Sequence, residues 1–384
     1  MPKRESFLPY GKQWLDEADI QKVFQVLESD WLTTGPMIPE FEQKAAEYVG
    51  AKYAVAFSSG TAALHGACFA AGITKGDEVI TTPMTFAATS NAVLYQGAIP
   101  VFADIDPATY NLSPDTVESS ISEKTKAIIA VDFTGQPADY DAINDIAKKH
   151  HLPVIADAAH SLGATYKGKK AGTLADMTMF SFHPVKHITT GEGGMITTDD
   201  PVYYQRLRDF RSHGITRDPS RLAKTDEPWY YEMHSLGFNY RMTDIQAGLG
   251  ISQLEKLDHF LDKRRQYANK YTSTFASDPL ITPPYQHPDT NSSWHLYVLK
   301  LDQSLDRKEI FNKLHAENIG VNVHYIPVYL HPYYQRLGYR KGLCPEAEKL
   351  YEKMITLPLF PKMSEKDVGD VIKIVTSLTG GITK

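Results

Sequence analysis

Cysteine is nearly absent from this chain: Cys68 and Cys344 are the only two among 384 residues. Two cysteines this far apart supply neither a disulfide framework nor a cysteine metal site, and Cys68 lies in an apolar helix-like run where a free thiol is an ordinary core residue. Long Lys/Arg runs are also missing, and the formal net charge is −6. Both facts argue against nucleic acid or an anionic membrane as the main partner. An anionic substrate therefore needs local donors acting against the mean field. No apolar stretch is long enough to cross a bilayer, and Met1-Pro2-Lys3-Arg4-Glu5-Ser6 leads into no apolar core of the signal-peptide type. The expectation is a cytoplasmic protein without internal repeats or low-complexity tracts.

What is present is a 42% hydrophobic content over a length that supports a large core and two domains, expected at residues 1–250 and 251–384. From about Lys52 to Met195 short β-rich runs alternate with helical ones. Tyr53 to Phe57, Glu78 to Thr81, Ile99 to Phe102, Ala127 to Val131 and Pro153 to Ala156 read as buried strands, with helices over Thr61 to Ala71 and Tyr140 to Lys149. The alternation predicts an α/β fold with a mainly parallel sheet covered by helices on both faces. Ligands of such sheets collect at the carboxyl ends of the strands, where Ser58, Asp104, Asp157 and His183 fall. A helical pattern from Thr243 to about Phe275 leads to a smaller α/β unit: a strand over Trp294 to Leu301, a helix over Arg307 to Glu317, a strand over Val321 to Tyr325 and terminal helices. Ser364, three residues before Asp367, is a capping box for the last helix. Thr216 to Trp229 has no periodicity and reads as a mobile loop.

Lys186 is the residue that organises the chemistry. It lies in Ser181-Phe182-His183-Pro184-Val185-Lys186, downstream of a buried strand that ends in Asp157. A lysine in a stretch poor in other cations, following a carboxylate at a strand end, is the pairing that pyridoxal phosphate needs. The amine forms a Schiff base with the aldehyde, and the acid keeps the pyridine nitrogen protonated. Ser58-Ser59-Gly60-Thr61 sits between a strand and a helix, so its N–H groups and hydroxyls converge on a helix N-terminus as a phosphate cradle does. It is not a Walker loop, since no Gly-Lys-Ser/Thr follows. Phe86, opening the next helix, offers an aromatic face to a flat ring. His160, three residues after Asp157, can donate to the phenolic oxygen of such a ring. His183 and His187 have i, i+4 spacing, but Pro184 and the Gly191-Glu192-Gly193-Gly194 turn argue against a regular helix, and no metal site is expected.

Ser58-Ser59-Gly60-Thr61-Ala62-Ala63-Leu64, Asp157-Ala158-Ala159-His160, Ser181 to Lys186 and Gly237-Phe238-Asn239-Tyr240-Arg241-Met242-Thr243-Asp244 together resemble the DegT/StrS family of sugar aminotransferases, of pyridoxal phosphate fold type I. The likeness runs from about Leu8 to the C-terminus. It implies that Lys186 is the Schiff-base lysine, Asp157 the partner of the pyridine nitrogen and His160 that of the phenolic oxygen. It further implies that Gly60, Thr61 and Ser181 bind the phosphate, that Phe86 stacks on the ring, and that Asn239 reaches the phosphate from the other subunit of a homodimer. Within the family, Leu8 to Gln13, Ser29 to Pro36, Val131 to Pro137, His183 to Gly194 and Pro228 to Met233 look most like the UDP-4-amino-4,6-dideoxy-N-acetyl-β-L-altrosamine transaminases of pseudaminic acid biosynthesis. Thr33, in the second of these stretches, and His324 and Tyr325, in Val323-His324-Tyr325-Ile326-Pro327, resemble segments near the substrate.

The resemblance implies a homodimer with shared active sites that moves an amino group from L-glutamate to C4 of a UDP-linked 2-acetamido-4-keto-6-deoxy sugar. Its rivals are amination of another nucleotide keto-sugar, a deoxysugar dehydratase of the same fold in which a histidine replaces the lysine, and a silent sugar-binding relative. Lys186 speaks against the dehydratase, and the intact set Asp157, His160, Ser181 and Lys186 against the silent relative.

Overall fold

The computed structural model describes residues 4–380. Seven strands form the central sheet: β1 (Tyr53–Phe57), β2 (Glu78–Thr81), β3 (Ile99–Phe102), β4 (Thr125–Val131), β5 (Val154–Asp157), β6 (Met177–Ser181) and β7 (Gly194–Thr198). Their order is β1-β7-β6-β5-β4-β2-β3, and only β7 runs antiparallel to its neighbours. Strands buried on both faces explain the near-continuous apolar runs. Successive side chains in one strand serve different cores. Ala54, Ala56, Ile128 and Ala130 face the helices Met37–Val49 and Tyr140–Lys149. Val55, Phe57, Ala127 and Ile129 face α1 (Gly60–Ala70) and Pro201–Arg211.

The C-terminal part gathers its own core, in which Tyr271, Leu299, Ile310, Ile355 and Val371 pack together. Its sheet joins Ile281–Thr282, Tyr297–Leu301 and Met354–Leu357, all antiparallel. The expected capping box is present, with Ser364 accepting from the backbone of Asp367. Two expectations need correction. The pattern from Thr243 to Phe275 is two helices, Asp244–Leu254 and Leu257–Phe275, parted at Glu255 and Lys256, where Lys256 turns to meet Asp16 and Asp19. Val321 to Tyr325 is not a strand: Asn322 exchanges both backbone hydrogen bonds with Thr356, and the chain then leaves the sheet edge for the central cleft. Its alternating Val321, Val323 and Tyr325 mimic a strand because opposite faces of the segment meet different surroundings. The strands β6 and β7 lie beyond the apolar runs that the sequence pattern singles out, and β6 carries Ser181. No described helix is long and apolar enough to cross a membrane.

Candidate active site

At the carboxyl ends of β1, β5 and β6 lies a cavity of about 590 Å³ whose lining includes Gly60, Thr61, Phe86, Asp157, His160, Ser181, Lys186, His324 and Tyr325. The residues expected to act together are thus brought together. Gly60 opens α1, capped by Ser59, whose side chain accepts from Ala62 N at 3.1 Å. A Cβ on Gly60 would lie 3.3 Å from the Ser181 hydroxyl oxygen, so the helix N-terminus and the end of β6 form one cradle. Lys186 follows in a tight turn in which its N–H donates to the His183 carbonyl. His183 is exposed whereas His187 is buried, and among the described residues no group of three or more His, Cys, Asp or Glu could hold a metal ion.

Burial sets the protonation states. It lowers the Lys186 amine to about 8; the nearby Asp157 carboxylate opposes this and the Arg264 guanidinium adds to it. The Lys186 side chain as a whole keeps some contact with the open cavity while its amine is enclosed by protein. Asp157 is itself raised by burial, against which Thr89 donates to Oδ2 at 2.6 Å and Ala159 N to Oδ1 at 3.3 Å. The imidazoles of His160, His187 and His295 are held well below their ordinary value by burial, and His324 falls to about 3. These rings are neutral at pH 7, which leaves Lys186 and Asp157 as the members of this buried set able to bear charge.

His160 Nε2 lies 3.2 Å from the Tyr325 hydroxyl, while its Nδ1 has no protein partner although buried. His324 contacts Thr356 Oγ1 at 3.0 Å through Nδ1 and tilts against Tyr10. Phe86 is 63% exposed, unusual for a phenylalanine, and lines the cavity 6.3 Å from the Tyr325 ring. Two expected residues stand outside this lining: Asn239, exposed and bridged to Ser212, and Thr33, exposed and bridged to Thr243. Ser58 and Asp104 also lie outside it. The Ser58 N–H donates to Tyr240 O, and Asp104 accepts from the backbone of Glu346 and Ala347 at the start of a helix. Reading the sequence missed Tyr10, Thr85 and His295, which line the cavity, and Thr89 behind Asp157. Thr85 and Thr89 carried only a weak signal, two threonines one helical turn apart.

A lysine amine, a buried carboxylate and a helix N-terminus converging on one cavity fit a phosphorylated aldehyde cofactor. Residues 13–376 match the model of the DegT/DnrJ/EryC1/StrS aminotransferase family. The chain belongs to that family. It is 44% identical over 384 residues to the Bacillus subtilis spore coat polysaccharide biosynthesis protein SpsC, covering 99% of each chain. Among solved structures it is similar to Helicobacter pylori PseC, an aminotransferase involved in the biosynthesis of pseudoaminic acid. There the TM-score is 0.92 at 34% identity, over 98% of this chain and 100% of that one. The PLP form of Streptococcus pneumoniae Spr1654 superposes with a TM-score of 0.91 at 33% identity, over 97% of this chain and 99% of that one. The protein is a sugar aminotransferase of fold type I, and its cofactor is pyridoxal phosphate. The unpartnered His160 Nδ1, the exposed Phe86 and the Gly60–Ser181 cradle fit that cofactor.

Proposed function

We propose that the enzyme transfers the amino group of L-glutamate to C4 of a UDP-linked 2-acetamido-4-keto-6-deoxy sugar, as a cytoplasmic homodimer, in amino-sugar biosynthesis of the pseudaminic acid type. The observation that carries the chemistry is the convergence of Lys186, Asp157 and the Gly60–Ser181 cradle on one cavity. The substrate rests on the stretches that resemble pseudaminic-pathway transaminases and on the likeness to PseC along the whole chain.

Bound there, the cofactor supplies an electrophilic aldehyde and an electron sink. Lys186 would hold it through the amine, then carry a proton between the donor's Cα and the cofactor's C4′. In the second half-reaction it would return a proton to C4 of the sugar. One amine can serve as base and acid because only the reacting carbons change. An amine with a pKa near 8 is suited to both tasks near neutral pH. Asp157 would accept the ring N–H, and His160 would face the phenolic oxygen. Gly60, Thr61 and Ser181 would bind the phosphate, joined by Asn239 of a second subunit, while Phe86 stacks on the ring. Thr33, His324 and Tyr325 would lie along the sugar.

The test is a panel of UDP-, GDP- and dTDP-linked 4-keto-6-deoxy sugars with L-glutamate as donor, the products examined by NMR. Nitrogen at C4 of the UDP-linked 2-acetamido sugar is expected. Nitrogen at C3, or a strong preference for GDP- or dTDP-sugars, would defeat the substrate assignment.

A further inference from the structure

Asp157 is held from behind by two threonines that no part of the proposed chemistry uses. Thr89 lies in the first turn of the helix Ala88–Tyr95, and Thr85 in the bend that leads into it. Thr89 is 0% exposed and Thr85 is also buried. Thr89 Oγ1 lies 2.6 Å from Asp157 Oδ2, 2.7 Å from Thr85 Oγ1 and 3.2 Å from the Phe86 carbonyl. A hydroxyl has one proton to give, and a carboxylate at 2.6 Å is the strongest acceptor of the three. Thr89 therefore donates to Asp157, and Thr85 donates to Thr89. The direction of the relay is fixed by chemistry: Thr85 to Thr89 to Oδ2.

The relay leaves the other oxygen distinct. Oδ1 meets only the backbone N–H of Ala159, at 3.3 Å, and keeps capacity for a stronger donor. We infer that Thr89 is a positioning residue for Asp157: with Thr85 it fixes the plane of the carboxylate through Oδ2, so that Oδ1 is presented to the ring nitrogen of the cofactor. This rests on the cofactor assignment already made. The charged groups near Asp157 are the Lys186 amine and the buried Asp132 carboxylate; the phenols of Tyr140 and Tyr325, raised by burial, and the His160 ring are neutral there. Burial drives Asp157 toward its neutral form, and the Thr89 hydrogen bond is the largest influence opposing that drift.

Equilibrium binding of two cofactors to the apoprotein tests the inference: pyridoxal 5′-phosphate, and its 1-deaza analogue, in which C–H replaces the ring nitrogen. Thr89→Val keeps the shape and deletes the hydroxyl. It is expected to weaken pyridoxal phosphate by roughly tenfold, the scale of one hydrogen bond to a charged group. It should leave the deaza analogue within twofold, and Thr89→Ser should restore the parent affinity. Thr85→Val, which removes the donor behind Thr89 at a residue that also lines the cavity, should weaken pyridoxal phosphate and spare the deaza analogue in the same way, and that selectivity decides the matter should Thr89→Val not fold. Parent-like binding by both valine variants, or equal losses for both cofactors, would overturn the inference. A parent that binds no pyridoxal phosphate would instead defeat the cofactor assignment itself.

Discussion

Gly194→Ala is the sharpest structural test of the phosphate cradle, because Gly194 is not part of the cavity lining and packs directly behind the Ser59–Gly60 turn. Gly194 is the first residue of β7, paired with Phe57 on one side and Ser181 on the other. A Cβ built there would lie 2.5 Å from Ser59 O and 2.6 Å from Gly60 N, both backbone atoms. Ordinary contact begins near 3.4 Å, so the Ser59–Gly60 turn must retreat by about 0.9 Å or β7 must shift as far. Inserting one methyl against backbone costs about 1–3 kcal/mol. More to the point, the N–H groups at the start of α1 would move relative to Lys186 and Asp157, which sit on other strands. Misplacement on this scale costs about 100-fold in a site that relies on orientation. With charge-assisted hydrogen bonds at about 1.5–3 kcal/mol each, the expected loss of pyridoxal phosphate affinity is about 10- to 100-fold.

The assay is titration of apoprotein with pyridoxal phosphate and, separately, with pyridoxal, which lacks the phosphate. The phosphate-bearing ligand should lose affinity and pyridoxal should not. Gly369→Ala is the control: it lies in the helix Glu365–Thr379, a Cβ there meets nothing within 4 Å, and the change should be neutral or slightly stabilising. Gly194→Ala binding pyridoxal phosphate as the parent does, or losing both ligands equally, would refute the reasoning.

The Lys186 amine, lowered to about 8, predicts that apoprotein captures pyridoxal phosphate at a rate rising with pH up to about 8 and level above it. The sign follows from the neutral amine being the nucleophile, and a stopped-flow rate still climbing at pH 10, as for an ordinary lysine, would count against it. Sharing of active sites predicts complementation. Co-refolded Lys186→Ala and Asn239→Ala chains should recover roughly a quarter of wild-type activity, because half the dimers are mixed and each mixed dimer has one unlesioned site. A mixture showing only the average of its parents would place both residues in one chain's site.

The core strands were legible because a parallel sheet buried on both faces leaves near-continuous apolar runs. Tyr53–Phe57, Glu78–Thr81 and Ile99–Phe102 fall as expected. β6 and β7 were harder to read, since Met177-Thr178-Met179-Phe180-Ser181 and Gly194-Met195-Ile196-Thr197-Thr198 mix threonine and glycine into the run. Asp157 was readable because it ends a buried strand at the functional edge, with His160 and Lys186 downstream of it, whereas Ser181 was named through resemblance. Asp104 has the same local signature yet caps a helix 242 residues away, a partner that only the tertiary fold supplies. Thr89 was invisible for the same reason: its meaning lies in a contact across 68 residues. Asn239 and Thr33 were named through resemblance, and a single chain gives neither a place in the cavity lining.

Arg264 and Lys186 show how the fold treats two basic groups whose charge burial penalises. Arg264 is 1% exposed and cannot give up its proton under ordinary conditions, so the fold surrounds Nη1 with the carbonyls of Trp294, His295 and Leu359 at 3.2, 3.2 and 2.8 Å. Lys186 makes no such set of bonds; the same burial is relieved by release of its proton, and the fixed charge on Arg264 pushes in that direction. Neutral His160, His187 and His295 add no carboxylate-like counter-charge that would hold the amine protonated. Asp157 alone opposes release, and Thr89 occupies one of its oxygens. Adding a carboxylate to the cavity lining, for instance by Ser181→Asp, would therefore oppose release further and weaken the nucleophile. Chemistry at this lysine depends on the Lys186–Asp157 pair staying loose.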